Sequence, residues 1–427
     1  MSERATVAAR LTAAVSTALG APESPWRLRA WDGSEAGPAE APVLTIRTPG
    51  ALRRLVWAPG ELGLVRAYVA GEIDLDGDIF TTVEALSSLG RLSSEAAFPR
   101  PGARERLELL RTAAALGAFG PPPPPPAEEF VRGRRGRRHS PRRDAVAVTH
   151  HYDVGNDFYE LVLGRTLVYS CAVWADERTG LDAAQEAKLD LVCRKLGLRP
   201  GMRLLDVGCG WGSLALHAAQ RYGADVVGVT LSAEQAGLAR RRVAAAGLEG
   251  RIDVRVQDYR SVVDGPFDAI SSIGMAEHVG RAALPEYAAR LHGLLRPGGR
   301  LLNHAISWTA PRARWDDDSF IARYVFPDGE VLPLAVTVAT LQDAGFELLD
   351  VEALRRHYAL TLRAWVERLD KRWDAAVGLT SEGRARVWRL YMAASALAFE
   401  ARKLGIEQVL VRRAGGEPVP LRLREWL

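Results

Sequence analysis

Apolar and polar positions alternate with different periods along the chain. Near the start, Val7, Leu11, Val15 and Leu19 recur every four residues, the spacing of one helical face, so an amphipathic helix is expected in this Ala-rich stretch. Arg10 interrupts it and argues against a secretory leader; the expected location is cytoplasmic. Short apolar pieces follow at Leu44–Ile46, Leu55–Trp57 and within Gly60–Gly77, predicting short strands and helices of a smaller α+β domain. From Gly201 onward the period switches repeatedly. Strands are expected at Arg203–Val207, Val226–Leu231, Ile252–Gln257, Ala269–Ile273 and Arg300–Ile306, with helices from about Ser213 and Ala233. Strand and helix in alternation predict an α/β fold with a mostly parallel, doubly wound sheet.

Composition adds boundaries. A chain of 427 residues, 48% hydrophobic and 25% charged, is long enough for two domains. Pro121–Pro126 is an unbroken proline run; each ring fixes φ and removes a donor, so the segment is an extended spacer. The expected division is residues 1–120, a linker at 121–144, and a catalytic domain at 145–427. No window approaches the roughly 18 apolar residues that span a bilayer, so membrane contact would be peripheral. Cys171, Cys193 and Cys209 show neither a paired framework nor metal spacing; reduced thiols are expected. The formal charge is +4, yet seven arginines lie between Arg132 and Arg143 with no acid among them. That run suits anionic phospholipid headgroups, at about 1 kcal/mol per basic residue. Its plain alternative is a solvated tether. Nucleic acid is disfavoured, because no aromatic residues interleave to stack bases.

Leu204–Gly212 places a buried strand before the turn Gly208-x-Gly210-x-Gly212, which opens a helix. Glycines there let the backbone approach a ligand at the carboxyl edge of the sheet. The spacing lacks the longer dinucleotide fingerprint and follows Asp206, as in class I methyltransferases, which have a Rossmann-like fold. The second strand ends in Gly228–Ser232 with no acid to hold ribose hydroxyls, so Gln235 is the candidate; Ser232 and Gln235 also read as a helix capping box. Gln257, Asp258 and Tyr259 end the third strand where adenine is expected, and Leu295–Leu301 is the turn preceding the fifth. S-adenosylmethionine is the implied cofactor.

Further motifs carry a more specific resemblance: His151–Tyr159, Tyr169–Ala172, Gly274–Gly280, His304–Ile306, Tyr324–Gly329 and Tyr358–Trp365. Together they resemble the cyclopropane-fatty-acid synthase family, which includes mycolic acid cyclopropane synthases and actinobacterial enzymes forming methylene-branched fatty acids. The resemblance runs from about residue 145 to the end, and Gly60–Gly77 is similar to the N-terminal domain of the longer bacterial members.

The resemblance implies methyl transfer to the double bond of an unsaturated phospholipid acyl chain. The resulting carbocation must be shielded from water and then deprotonated. It also implies a bound bicarbonate or carbonate as base, held by Cys171, Glu277, His304, the Ile306 carbonyl and Tyr358, none of them ligating a metal. Tyr169 and Ser170 would touch the methionine end of the cofactor, with Asp206, Gly208, Gly210, Thr230, Leu231, Gln235, Asp258 and Tyr259 around the rest. Phe320, Tyr324 and Phe326 are candidates for the acyl channel. Plain readings stand beside these: Cys171 as a small buried residue, Glu277 with His278 as a helix-end ion pair, and Tyr358 with Trp365 as core on one helical face; core packing is favoured for Trp365. A 10-methylene product is favoured over ring closure to a cyclopropane. The implied setting is the inner membrane face, with room for a separate product reductase and for homo-oligomers. A heteroatom methyltransferase and a lipid-binding scaffold are the rival classes.

Overall fold

The computed structural model describes residues 5–19, 23–24, 26–88, 102–130, 154–310, 319–419 and 421. The run Arg132–Arg143 and His151 to Asp153 of the His151–Tyr159 motif lie outside the described residues. The chain divides into two compact units that are not contiguous in sequence: Met1–Arg132 groups with Trp315–Pro327 and Trp373–Leu397, and the remainder forms the second.

In the first unit, β1 (Arg27–Arg29), β2 (Glu35–Ala36), β3 (Val43–Ile46) and β4 (Ile73–Asp76) make a sheet in the order β2-β1-β3-β4. Only the β1–β3 pairing is parallel. Leu44, Ile46, Ile73 and Leu75 are buried and their neighbours half-buried, the alternation of a sheet with one face on a core. The expected helix is present at Val7–Leu19. Glu129 explains how a later segment joins this unit. Its buried carboxylate accepts from Arg66 at 2.6 and 2.7 Å and from the Tyr324 hydroxyl at 3.1 Å, and the Phe130 N–H donates to the Arg323 carbonyl at 2.7 Å. Likewise Arg386 is buried, meets Asp74 at 3.2 Å and lies over the Tyr68 ring at 5.1 Å. Buried charges persist only when paired, so ion pairs remote in sequence hold these pieces together.

The second unit is built on β5 (Arg203–Val207), β6 (Asp225–Thr230), β7 (Ile252–Val256), β8 (Phe267–Ile273), β9 (Leu295–Trp308), β10 (Leu332–Pro333), β11 (Phe346–Ala353) and β12 (Leu404–Arg413). The order is β11-β12-β9-β8-β5-β6-β7, with β10 beside β9. All pairings are parallel except those of β12, which runs against both β9 and β11. β5 and β12 are buried almost throughout, because helices cover both faces. Val192, Leu196, Ala215 and Ala236 pack on one side and Val279, Leu284, Leu291 and Leu341 on the other. From β5 the chain winds outward through β6 to β7, then returns to β8. The strand order therefore reverses between β5 and β8, the place where open α/β sheets bind ligands. Among the described residues no helix is long and apolar enough to cross a membrane.

Candidate active site

At the carboxyl end of β5 the chain turns through Gly208, Gly210 and Gly212, with φ of +75°, +53° and +78°. These are left-handed values that a side chain resists. At Gly208 a Cβ would also come within 2.5 Å of Met275 Sδ. The Gly208 and Cys209 N–H groups both donate to the Val229 carbonyl, at 2.9 and 3.0 Å, pinning the turn to the end of β6. Here a cleft opens that spans about 800 Å³ including the open solvent at its mouth. Gly208, Gly210, Thr230, Leu231, Gln235, Asp258 and Tyr259 all line it.

The capping reading of Ser232 and Gln235 is realised in part, and Gln235 lines the cleft. The Ser232 hydroxyl accepts the Gln235 N–H at 3.2 Å and so caps the helix Ala233–Ala245. The Gln235 side chain does not close a capping box; its carbonyl accepts the Thr230 hydroxyl at 2.8 Å, keeping the amide on the cleft wall. Asp258 caps its own short turn, with its carboxylate taken up by Arg260 at 2.8 and 2.9 Å.

Tyr169, Ser170 and Asp206 do not line this cleft. Asp206 is buried behind the glycine turn, accepts the Ser271 hydroxyl at 2.7 Å, and is pushed up to about 6 by burial. Ser170 is gripped by the helix Leu181–Leu196: Lys188 Nζ donates to its hydroxyl at 3.1 Å and Gln185 Nε2 to its carbonyl at 2.9 Å. The helix Arg355–Lys371 holds the next residues, since Thr361 Oγ1 accepts from the Ala172 N–H at 3.1 Å and from Trp174 Nε1 at 3.0 Å.

The residues implied for the reacting centre are linked by a relay of contacts around the end of β9. Cys171 Sγ lies 3.7 Å from the Leu354 carbonyl, which also accepts the Tyr358 N–H at 3.1 Å. The Leu354 N–H donates to the Ile406 carbonyl at 2.8 Å, and Ile406 stands opposite Ile306 in the β9–β12 pairing. The Ile306 N–H donates to Glu277 Oε1 at 2.7 Å, and His304 precedes it by two positions on the same strand.

Burial sets the chemistry of this centre. Glu277 keeps some exposure as a residue, but Oε2 is buried without a hydrogen-bond partner, and desolvation pushes the carboxyl up to about 7 against the opposing bond from Ile306. His304 is 1% exposed with neither ring nitrogen partnered. Burial first, then Lys188 and Lys195, push it down to about 3, so the imidazole is neutral. The Cys171 thiol is raised by burial despite Lys188 nearby and stays protonated. The unpartnered Glu277 oxygen and His304 ring nitrogens fit a small polar group that both accepts and donates hydrogen bonds.

A row of rings flanks the centre: Tyr159, Tyr169, Trp365, Tyr358 and Phe399, with successive centroids 5.7, 5.4, 6.1 and 4.9 Å apart. Trp365 is fully buried, the core residue its spacing implies. Phe320 and Tyr324 are buried in the first unit, 5.6 Å apart, and Phe326 packs edge-on to Tyr391 at 5.9 Å; none lines the cleft. Sequence reasoning missed Met275 on the cleft wall, Thr361, Gln185 and Lys188. For Lys188 a signal existed: it sits between Ala184 and Leu191 on the buried stripe of its helix, where a charge is out of place.

A family model described as mycolic acid cyclopropane synthetase matches residues 139–409. A "Probable fatty acid methyltransferase" of Mycobacterium tuberculosis is 43% identical over 414 residues, 96% of this chain and 96% of that protein. A tuberculostearic acid methyltransferase of the same organism is 36% identical over 405 residues, 92% and 88% of the two chains. A solved mycolic acid cyclopropane synthase complexed with SAH and CTAB matches at a TM-score of 0.60 and 33% identity, covering 63% of this chain and 98% of that one. With this match and the glycine-lined cleft at the switch point, the chain belongs to the mycolic acid cyclopropane synthetase family and is an S-adenosylmethionine-dependent methyltransferase.

Proposed function

We propose that the substrate is the cis double bond of an unsaturated, oleoyl-type phospholipid acyl chain and that the product carries a 10-methylene branch. The observation that carries this reading is the buried polar centre of Glu277, His304 and Cys171 beside a row of aromatic rings. Methylation of a heteroatom needs no such centre, because its nucleophile sheds a proton without passing through a carbocation. S-adenosylmethionine supplies a sulfonium methyl when bound. The alkene π pair forms the new C–C bond as the S–C bond breaks towards sulfur, leaving a cation on the neighbouring carbon. Rings at Tyr169, Trp365 and Tyr358 stabilise that charge through their faces and exclude water. A 1,2-hydride shift followed by loss of a proton from the former methyl gives the methylene; ring closure with loss of the same proton gives a cyclopropane.

Bicarbonate, held by Cys171, Glu277, His304, Ile306 and Tyr358, would supply the base. Glu277, poised near neutrality, exchanges a proton with a partner on its Oε2 side, while His304 remains neutral and donates or accepts a hydrogen bond without forming an ion pair. The methylene outcome is supported by similarity to the tuberculostearic acid methyltransferase over most of both chains; the cyclopropane outcome by the family's description. The first unit and the basic run would work at the cytoplasmic face of an anionic membrane. The channel role of Phe320, Tyr324 and Phe326 rests on the family resemblance, as does a separate reductase acting on the product.

Gas chromatography with mass spectrometry of fatty acid esters tests the proposal, using an oleate-fed bacterium that lacks such an enzyme and expresses this chain. A methylene-branched C19 chain is the expected product. A cyclopropane C19 chain would replace the methylene reading with ring closure. Unchanged acyl chains alongside protein that binds S-adenosylhomocysteine would return the heteroatom methyltransferase to the front.

A further inference from the structure

We infer that Lys188 is a positioning residue for the amino-acid end of the cofactor: its buried ammonium takes up the Ser170 oxygen, so that the single Ser170 hydroxyl proton is left to donate to the cofactor carboxylate. The inference rests on the reading that Ser170 touches the methionine moiety.

Lys188 is 2% exposed, on the face of the helix Leu181–Leu196 that covers the sheet. An ammonium carries three donors and no lone pair, so at 3.1 Å Ser170 Oγ can only accept from it. A serine hydroxyl has one proton, which must then point elsewhere. Gln185, one turn earlier on the same face, holds the Ser170 carbonyl at 2.9 Å, so the helix grips this residue by main chain and side chain together. The hydroxyl proton is thereby excluded from the side that faces Lys188 and is left to the directions pointing away from it.

Charge points the same way. A buried ammonium is costly unless an anion balances it. Asp206 influences Lys188 through its charge but takes its own hydrogen bond from Ser271. Burial lowers Lys188 only to about 8, leaving it mainly cationic at neutral pH. Lys188 thus places a positive charge, offset in part by Asp206, immediately behind Ser170. The carboxylate of the cofactor's amino-acid end is the anion such an arrangement suits, whereas the adenosine end has none.

The test compares two ligands in the full chain by calorimetry: S-adenosylhomocysteine, which has the amino-acid end, and 5′-methylthioadenosine, which lacks it. In Lys188→Met and Lys188→Gln the dissociation constant for S-adenosylhomocysteine should rise roughly 10- to 100-fold, the loss expected for a hydrogen bond to a charged group. That for 5′-methylthioadenosine should move by less than about threefold. Against Ser170→Ala, Lys188→Met should add little further loss, because both act through one hydroxyl. Equal weakening of both ligands, unchanged S-adenosylhomocysteine binding, or full additivity with Ser170→Ala would overturn the inference. Failure of the wild-type chain to bind either ligand would instead overturn the cofactor assignment.

Discussion

At the ends of β5 and β6 the cleft is walled largely by main chain: a turn through three left-handed glycines, pinned to the Val229 carbonyl by the Gly208 and Cys209 N–H groups, with side chains at the rim. At the end of β9, in the same unit, the protein presents side chains: His304 and Cys171, buried enough to be held neutral, and Glu277, raised by burial to about 7. The first region needs space and approach, which glycine provides locally. The second needs a dry setting in which neutral acid and base forms persist, and several elements must close around it to make one. Binding and chemistry are therefore separable by mutation.

The sharpest way to break this contrast is Glu277→Gln. It should lower kcat by about 10²- to 10⁴-fold, the usual worth of a proton-transfer group, with S-adenosylhomocysteine affinity unchanged by calorimetry. A parallel loss of affinity would show the two regions to be one. The converse is Gly208→Ala, which puts a Cβ on a φ of +75° and against Met275. Backbone strain of about 1–3 kcal/mol predicts at least a tenfold weaker dissociation constant for S-adenosylhomocysteine, with the native melting transition retained.

A smaller effect should appear in stability against pH. Burial raises Glu277 from 4.5 to about 7, so the folded state binds its proton more tightly than the unfolded one. That stabilisation is full below pH 4.5 and is lost as pH rises through 7. His304, lowered to about 3, acts oppositely: its contribution is present above about 6.5 and is lost as pH falls towards 3. Comparing wild type with Glu277→Gln isolates the first group. The melting temperature of the variant should gain on wild type between pH 5 and pH 8, and a constant gap would show that Glu277 is not desolvated. Smallest of all, Ser232→Ala should cost about 1 kcal/mol of stability as a lost helix cap, measured by urea unfolding, while cofactor affinity falls less than it does in Gln235→Ala.

Much of the second unit was legible in the sequence. The expected strands at Arg203–Val207, Ile252–Gln257 and Ala269–Ile273 agree with β5, β7 and β8 to within about two residues at each end. Strands covered on both faces read as short apolar runs, and their period needs no tertiary information. Gly208, Gly210 and Gln235 were identifiable for a similar reason, since turn geometry and a helix cap are set by neighbours in the chain. Two features had no such local mark. One is the grouping of Trp315–Pro327 and Trp373–Leu397 with the N-terminal residues, which depends on Glu129 and Asp74 finding buried partners far along the chain. The other is Lys188, whose pattern position implies core and whose meaning appears only with Ser170 and Asp206 beside it.

By itself, then, the sequence determined the strands from β5 to β9, the glycine turn and the family, because each is written in residues close together in the chain. Tertiary structure alone decided that Cys171, Tyr358, Ile306 and Glu277 are linked through Leu354 and the β9–β12 pairing, with His304 two positions before Ile306 on β9. It also decided that His304 is neutral, Cys171 protonated and Glu277 poised near neutrality, because a pKa depends on what surrounds a group once water has been removed.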